Sequence, residues 1–216
     1  MSGCTEKTNV KAYRSTLLRF LVLPAATFVT LVCAVILAPH CLILNDDPAP
    51  CEAIVLFMGS DFPQRERMAS SLVEYGQAHY LIIPSLGLIT DSRSYSEVAT
   101  NARDGSKATA MVLDGDEGRY PGHWEKTHIE VIRARTLMDR AGIRSAILIS
   151  SPYHTRRVNL IARTVFKKNR YRLYYSTTSE RPIGLRTIPG KEDFKIIFSE
   201  YSKIAWFMIY RWLCPW

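Results

Sequence analysis

The chain has 216 residues, 47% of them hydrophobic, enough for one α/β domain with a short appendage and too few for two ordinary domains. Its net charge of +8 comes from scattered lysines and arginines, with no zinc-finger, RNA-binding-sheet or basic-zipper pattern, so a nucleic-acid partner is not expected. Five cysteines without a CxxC pair exclude a dense disulfide scaffold and a zinc-ribbon or dithiol redox site.

Residues 1–19 form a basic tail carrying Lys7, Lys11, Arg14 and Arg19. From Phe20 to Ala38 the chain runs without a charge, which at about 1.5 Å per helical residue spans roughly the 30 Å of a bilayer core. Asp46, Asp47 and Glu52 follow, with no Lys or Arg before Arg65, so the positive-inside rule places the tail in the cytoplasm and the rest outside. A cleaved signal peptide is the alternative, but a cut after Ala38 puts Ile36 where a small residue is required. On the outer side one disulfide among Cys41, Cys51 and Cys214 is expected.

After the turn-rich stretch from Asn45 to Pro50, Ala53 to Met58 (AIVLFM) reads as a buried strand. A helix from Arg65 to Tyr75, closed by Gly76, and a second buried strand at Tyr80–Pro84 complete the opening unit. A short helix at Tyr95–Ala102 and a strand at Ala110–Leu113 are expected in a weakly patterned stretch that ends in a loop at Pro121-Gly122. Next come a helix from His128 to Ala141 stopped by Gly142, a strand at Ser145–Ile149, a helix from Pro152 to Phe166 and a strand at Leu173–Tyr175. Last is an amphipathic docking helix from Glu192 to Trp212, with Trp206, Trp212 and Trp216 placed to rest at a bilayer surface. Alternating strands and helices predict an α/β fold, a mostly parallel sheet with helices on both faces, occupying residues 51–216.

Ligands of such sheets bind beyond the carboxyl ends of the strands, and the polar residues gather there. Ser150-Ser151-Pro152-Tyr153-His154-Thr155-Arg156-Arg157 crosses from strand to helix. Ser151 is a good N-cap, and free backbone N–H groups at the helix start favour an anion. His154 and Arg157 share a face at i and i+3, and the helix dipole disfavours a charged imidazole. Ordinary capping by Ser151-Pro152 and a buried structural contact for His154 are the competing reading. Thr127-His128-Ile129-Glu130 has the form of a capping box, while Glu130 would also stand at the mouth of the same sheet. Gly59-Ser60-Asp61 follows the first strand without the further glycines of a dinucleotide loop, and Arg65 beyond it is placed to clamp phosphate or carboxylate. The sequence names no metal and leaves the cofactor unknown.

These pieces, in this order, resemble the SanA/ElyC/YdcF-like family of bacterial proteins, a domain of unknown function (DUF218). The resemblance covers Cys51 to Tyr175 and rests on AIVLFMGS with Arg65 downstream, YLIIPS, KTHIE and above all AILISSPYHTRRV. It implies a Rossmann-like fold, an N-terminal anchor in the bacterial inner membrane with a periplasmic domain, and a part in cell-envelope or peptidoglycan biogenesis. On the family's motif positions fall Gly59, Arg65, Thr127, Glu130, Ser151, His154 and Arg157. Two departures are Ser85-Leu86-Gly87 in place of Ser-Gly-Gly and Glu130 where many members carry Asn. The expected ligand is an anionic small molecule or lipid-linked phosphate intermediate, held by Gly59, Ser60, Arg65, Thr127, Ser150, Ser151 and Arg157. His154 and Glu130 would be the acid and base of an enzyme; a non-catalytic ligand- or partner-binding module uses the same residues.

Overall fold

The computed structural model describes residues 22, 25–33, 35–47, 49–91, 111–112, 120–167, 169–178 and 190–213. The chain divides into two units, Met1–His40 and Cys41–Trp216. The first contributes most of a helix whose Ala25–Leu42 segment, with a mean hydropathy of 2.1, is long and apolar enough to cross a membrane. Phe28 and Leu31 are 67% and 64% exposed, so this helix has no core of its own to fill. The expected helix at Tyr95–Ala102 and Cys214 lie outside the described residues, while Cys41 and Cys51 are free thiols.

The second unit is an α/β domain. Its elements are β1 (Ala53–Leu56), α1 (Phe62–Glu74), β2 (Tyr80–Ile83), β3 (Leu88–Asp91), β4 (Met111–Val112), α2 (Lys126–Arg140), β5 (Ser145–Ser150), α3 (Thr155–Val165), β6 (Arg172–Thr177) and α4 (Lys191–Leu213). The six strands form one sheet in the order β4-β3-β2-β1-β5-β6. The pairs β1–β2, β1–β5 and β5–β6 are parallel, with Ala53 opposite both Tyr80 and Ala146. β3 was not foreseen. After β2 a single 3-10 turn (Pro84–Leu86) ends at Gly87 with φ +61°, a left-handed conformation that costs glycine little, and the chain folds back into β3, antiparallel to β2, with β4 antiparallel to β3 at the sheet edge.

Both faces of the central strands are covered, which is why β1 and β5 are uninterrupted runs of buried residues. Ala53, Val55 and Phe57 point to one side with Ala146 and Leu148, against Val131, Ala134 and Leu137 of α2 and Val158, Ile161 and Ala162 of α3; Phe207 and Tyr210 of α4 close that layer. Ile54, Leu56, Ile147 and Ile149 point to the other side, against Phe62, Ala69, Leu72 and Val73 of α1. Gly76 (φ +68°) and Gly142 (φ +72°) end α1 and α2, with Gln77 and Ile143 donating back to Leu72 and Met138.

This strand order decides where a ligand fits. The chain moves from β1 to β2 on one side and returns to β5 on the other, so the segments leaving the carboxyl ends of β1 and β5 diverge and open a crevice.

Candidate functional site

A cavity of about 740 Å³ occupies that crevice. The β1 exit gives it Met58, Gly59, Ser60 and Asp61, and α1 gives Arg65. Lys126, Thr127 and Glu130 come from the first turns of α2, and Ser151, Tyr153, His154 and Arg157 from the β5 exit and α3. Lys195, Ser199, Glu200 and Lys203 come from α4. Of the site residues expected from the sequence, Gly59, Ser60, Arg65, Thr127, Glu130, Ser151, His154 and Arg157 therefore share one cavity. Ser150 does not line it: as the last residue of β5 it is fully buried, and its hydroxyl has no hydrogen-bond partner among the described residues.

Arg65 ties the two diverging strand ends together. Its Nη1 donates to the carbonyls of Phe57 (2.8 Å) and Met58 (3.2 Å), and its Nη2 to Asp61 Oδ1 (2.6 Å) and Ser151 Oγ (3.0 Å). Nε of Arg65 and Oδ2 of Asp61 are buried without a hydrogen-bond partner among the described residues. Gly59 is short for this reason: a Cβ there would lie 2.5 Å from Arg65 Nη2 and 3.0 Å from Cζ. The close approach that glycine permits is by the protein's own guanidinium.

Neither expected cap is made by its side chain. Ser151 sits at the expected N-cap with extended backbone (φ −67°, ψ 152°), but its hydroxyl accepts from Arg65, and α3 is entered through a 3-10 turn (Pro152–His154). α2 starts at Lys126 behind Glu125, two residues earlier than expected, so Thr127 lies inside the helix and its hydroxyl accepts from Arg157 Nη1 at 2.8 Å. The capping-box reading of Thr127 and Glu130 gives way to tertiary contacts.

A buried charge network forms the floor. Arg157 binds Glu200 in a bidentate pair (Nε–Oε2 2.7 Å, Nη2–Oε1 3.1 Å), and its Nη1 reaches Glu125 Oε2 at 3.2 Å. Most of its donors are thus spent within the protein. Lys203 Nζ donates to Glu200 Oε1 at 3.1 Å, and His154 Nδ1 lies 3.2 Å from Glu200 Oε2. Burial alone would raise the Glu200 carboxyl, but hydrogen bonds from His154 and Arg157 hold it well below the usual carboxylate range. Burial pushes His154 down to about 4 against the pull of Glu200, so the imidazole is neutral at pH 7. Glu130 is raised to about 7, chiefly by burial, with a backbone hydrogen bond from Met58 and the charges of Arg65 and Arg157 opposing. The cavity therefore holds a neutral imidazole and a carboxyl poised between its two forms near neutrality.

Glu200 and Glu125, which the sequence reading did not assign to the site, are the two carboxylates that organise Arg157. The available signal was Lys195, Ser199, Glu200 and Lys203 at helical spacing in an otherwise apolar and aromatic helix. Among the described residues no group of three or more His, Cys, Asp or Glu is placed to hold a metal ion. Compared with family models, curated proteins and solved structures, the chain matches none.

Proposed function

We propose that this chain is a membrane-anchored cell-envelope protein of the DUF218 type, with a Rossmann-like extracytoplasmic domain. In this reading it binds or processes an anionic, phosphate-bearing envelope or peptidoglycan-related intermediate. The observation that carries the proposal is the single cavity at the carboxyl ends of β1 and β5. There Arg65, whose buried Nε has no partner among the described residues, and the lysines of α2 and α4 stand beside the neutral His154 and a Glu130 carboxyl raised to about 7. Unsatisfied buried donors call for a partner, and an anion supplies one.

A lipid-linked ligand is favoured by what surrounds the cavity. Trp206 and Trp212 of α4 are 46% and 83% exposed, as residues resting at a headgroup layer would be. The second reading, a non-catalytic module that holds such a ligand or a partner, is favoured by the engagement of His154 Nδ1 by Glu200 and of Ser151 Oγ by Arg65.

Two measurements test the proposal. An alkaline phosphatase fusion after Trp216 should be active, and activity of a cytoplasmic reporter there would overturn the topology. The full chain in lipid nanodiscs should bind a short-chain polyprenyl phosphate well above the corresponding polyprenol; equal binding would overturn the anionic ligand.

A further inference from the structure

The structure assigns Glu200 as the residue that fixes the tautomer of His154, leaving Nε2 as a bare acceptor in the cavity that recognises an O–H group on the bound anion. This rests on the anion-binding reading of the same cavity and narrows it to a ligand that carries an O–H, a hydrogen phosphate or the singly protonated form of a phosphate monoester.

The argument is one of donors and acceptors. Glu200 is clamped by both arms of Arg157 and approached by Lys203, three N–H donors on one carboxylate, so it is ionised and only accepts. His154 Nδ1, 3.2 Å from Oε2, must then be the nitrogen that carries the proton. The side chain is 10% exposed, and a second proton would place a cation beside Arg157, so the ring holds only one. Nε2 is therefore deprotonated. It makes no protein hydrogen bond among the described residues. Since His154 lines the cavity, that lone pair is what a ligand meets there. A lone pair repels the oxygen of a fully deprotonated anion and attracts an O–H, so a site with this group discriminates between anions of equal size by whether they carry a proton.

The assignment puts Glu200 in a positioning role and His154 in contact with the ligand. It also accounts for an ionised residue in the buried face of α4, since Glu200 couples that helix to the turn before α3 through His154 and to α3 through Arg157.

The test uses the full chain in nanodiscs with ¹⁵N-labelled histidine, comparing wild type with His154→Gln to identify the resonances among the five histidines. At pH 7 and without ligand, His154 should be neutral with its proton on Nδ1. A proton on Nε2, or an imidazolium, overturns the assignment whether or not an anion binds. Inorganic phosphate, which carries an O–H at this pH, should then shift Nε2 and bind at least tenfold more tightly than sulfate, which carries none. Equal affinity for the two overturns the hydroxyl preference. If the tautomer is as assigned and neither anion binds, the anionic ligand proposed above fails and the Glu200–His154 pairing stands. Glu200→Gln should shift the tautomer toward Nε2–H, and an unchanged wild-type tautomer in folded Glu200→Gln overturns the positioning role.

Discussion

The two ends of the β1–β5 pair both carry charged networks, and they are built to opposite purposes. At the amino end, Glu52 Oε2 accepts from the backbone N–H of Arg144 (2.9 Å) and Ser145 (2.8 Å) and from Ser145 Oγ (2.9 Å), while Arg144 Nη1 pairs with Asp139 at 2.5 Å and the Tyr171 hydroxyl donates to Asp139. Glu52 is exposed, and hydrogen bonds from Arg144 and Ser145 hold its carboxyl below the ordinary range despite some desolvation. At the carboxyl end the network is buried, the Glu130 carboxyl is raised to about 7, and Arg65 Nε and Asp61 Oδ2 have no hydrogen-bond partner among the described residues. A satisfied, solvated network staples two strands; a buried, partly unsatisfied one stores the means to bind something.

The sharpest way to break this contrast is to remove one charge from each end. Arg157→Ala leaves Glu200 and Glu125 buried without their guanidinium and should cost about 3–5 kcal/mol of stability, read from denaturant unfolding of the domain. A loss no larger than that from a change at the amino end would show that the carboxyl-end network is not buried in the sense argued.

The next largest effect is set by pH. Glu130 is raised to about 7 in the fold from 4.5, so its contribution is fully present below pH 4.5 and is lost as pH rises through 7. Wild type should therefore lose at most about 3 kcal/mol relative to Glu130→Gln between those limits, at 1.36 kcal/mol per unit. His154 and His128, both depressed to about 4 by burial, act in the other direction: their stabilisation is present above 6.5 and lost as pH falls through 4. A wild type and Glu130→Gln pair with parallel pH profiles would remove Glu130 from the cavity's acid–base chemistry.

The smallest effect belongs to the amino end. Glu52→Gln keeps one acceptor for the β5 backbone and should cost about 1 kcal/mol, with no change in anion binding. An effect on binding would mean that the two ends communicate through β1 and β5.

Much of this architecture was legible in the chain itself. Uninterrupted apolar runs at 53–56 and 146–149 mark strands buried on both faces, and Gly76 and Gly142 mark helix ends, because these depend on local hydrophobicity and on a left-handed φ. The strand-to-helix crossings also showed where polar residues collect, since a parallel sheet exposes its backbone groups only at strand ends. What the sequence could not decide is who partners whom. Ser151 and Thr127 have the local form of caps, yet they serve Arg65 and Arg157, because a buried guanidinium must find acceptors wherever packing brings them. Glu200, 46 residues beyond His154, reads as one polar residue in an apolar helix until α4 docks on α3. Capping and periodicity act within a turn or two of chain, whereas the state of a buried imidazole or carboxyl is set by neighbours that only tertiary folding assembles.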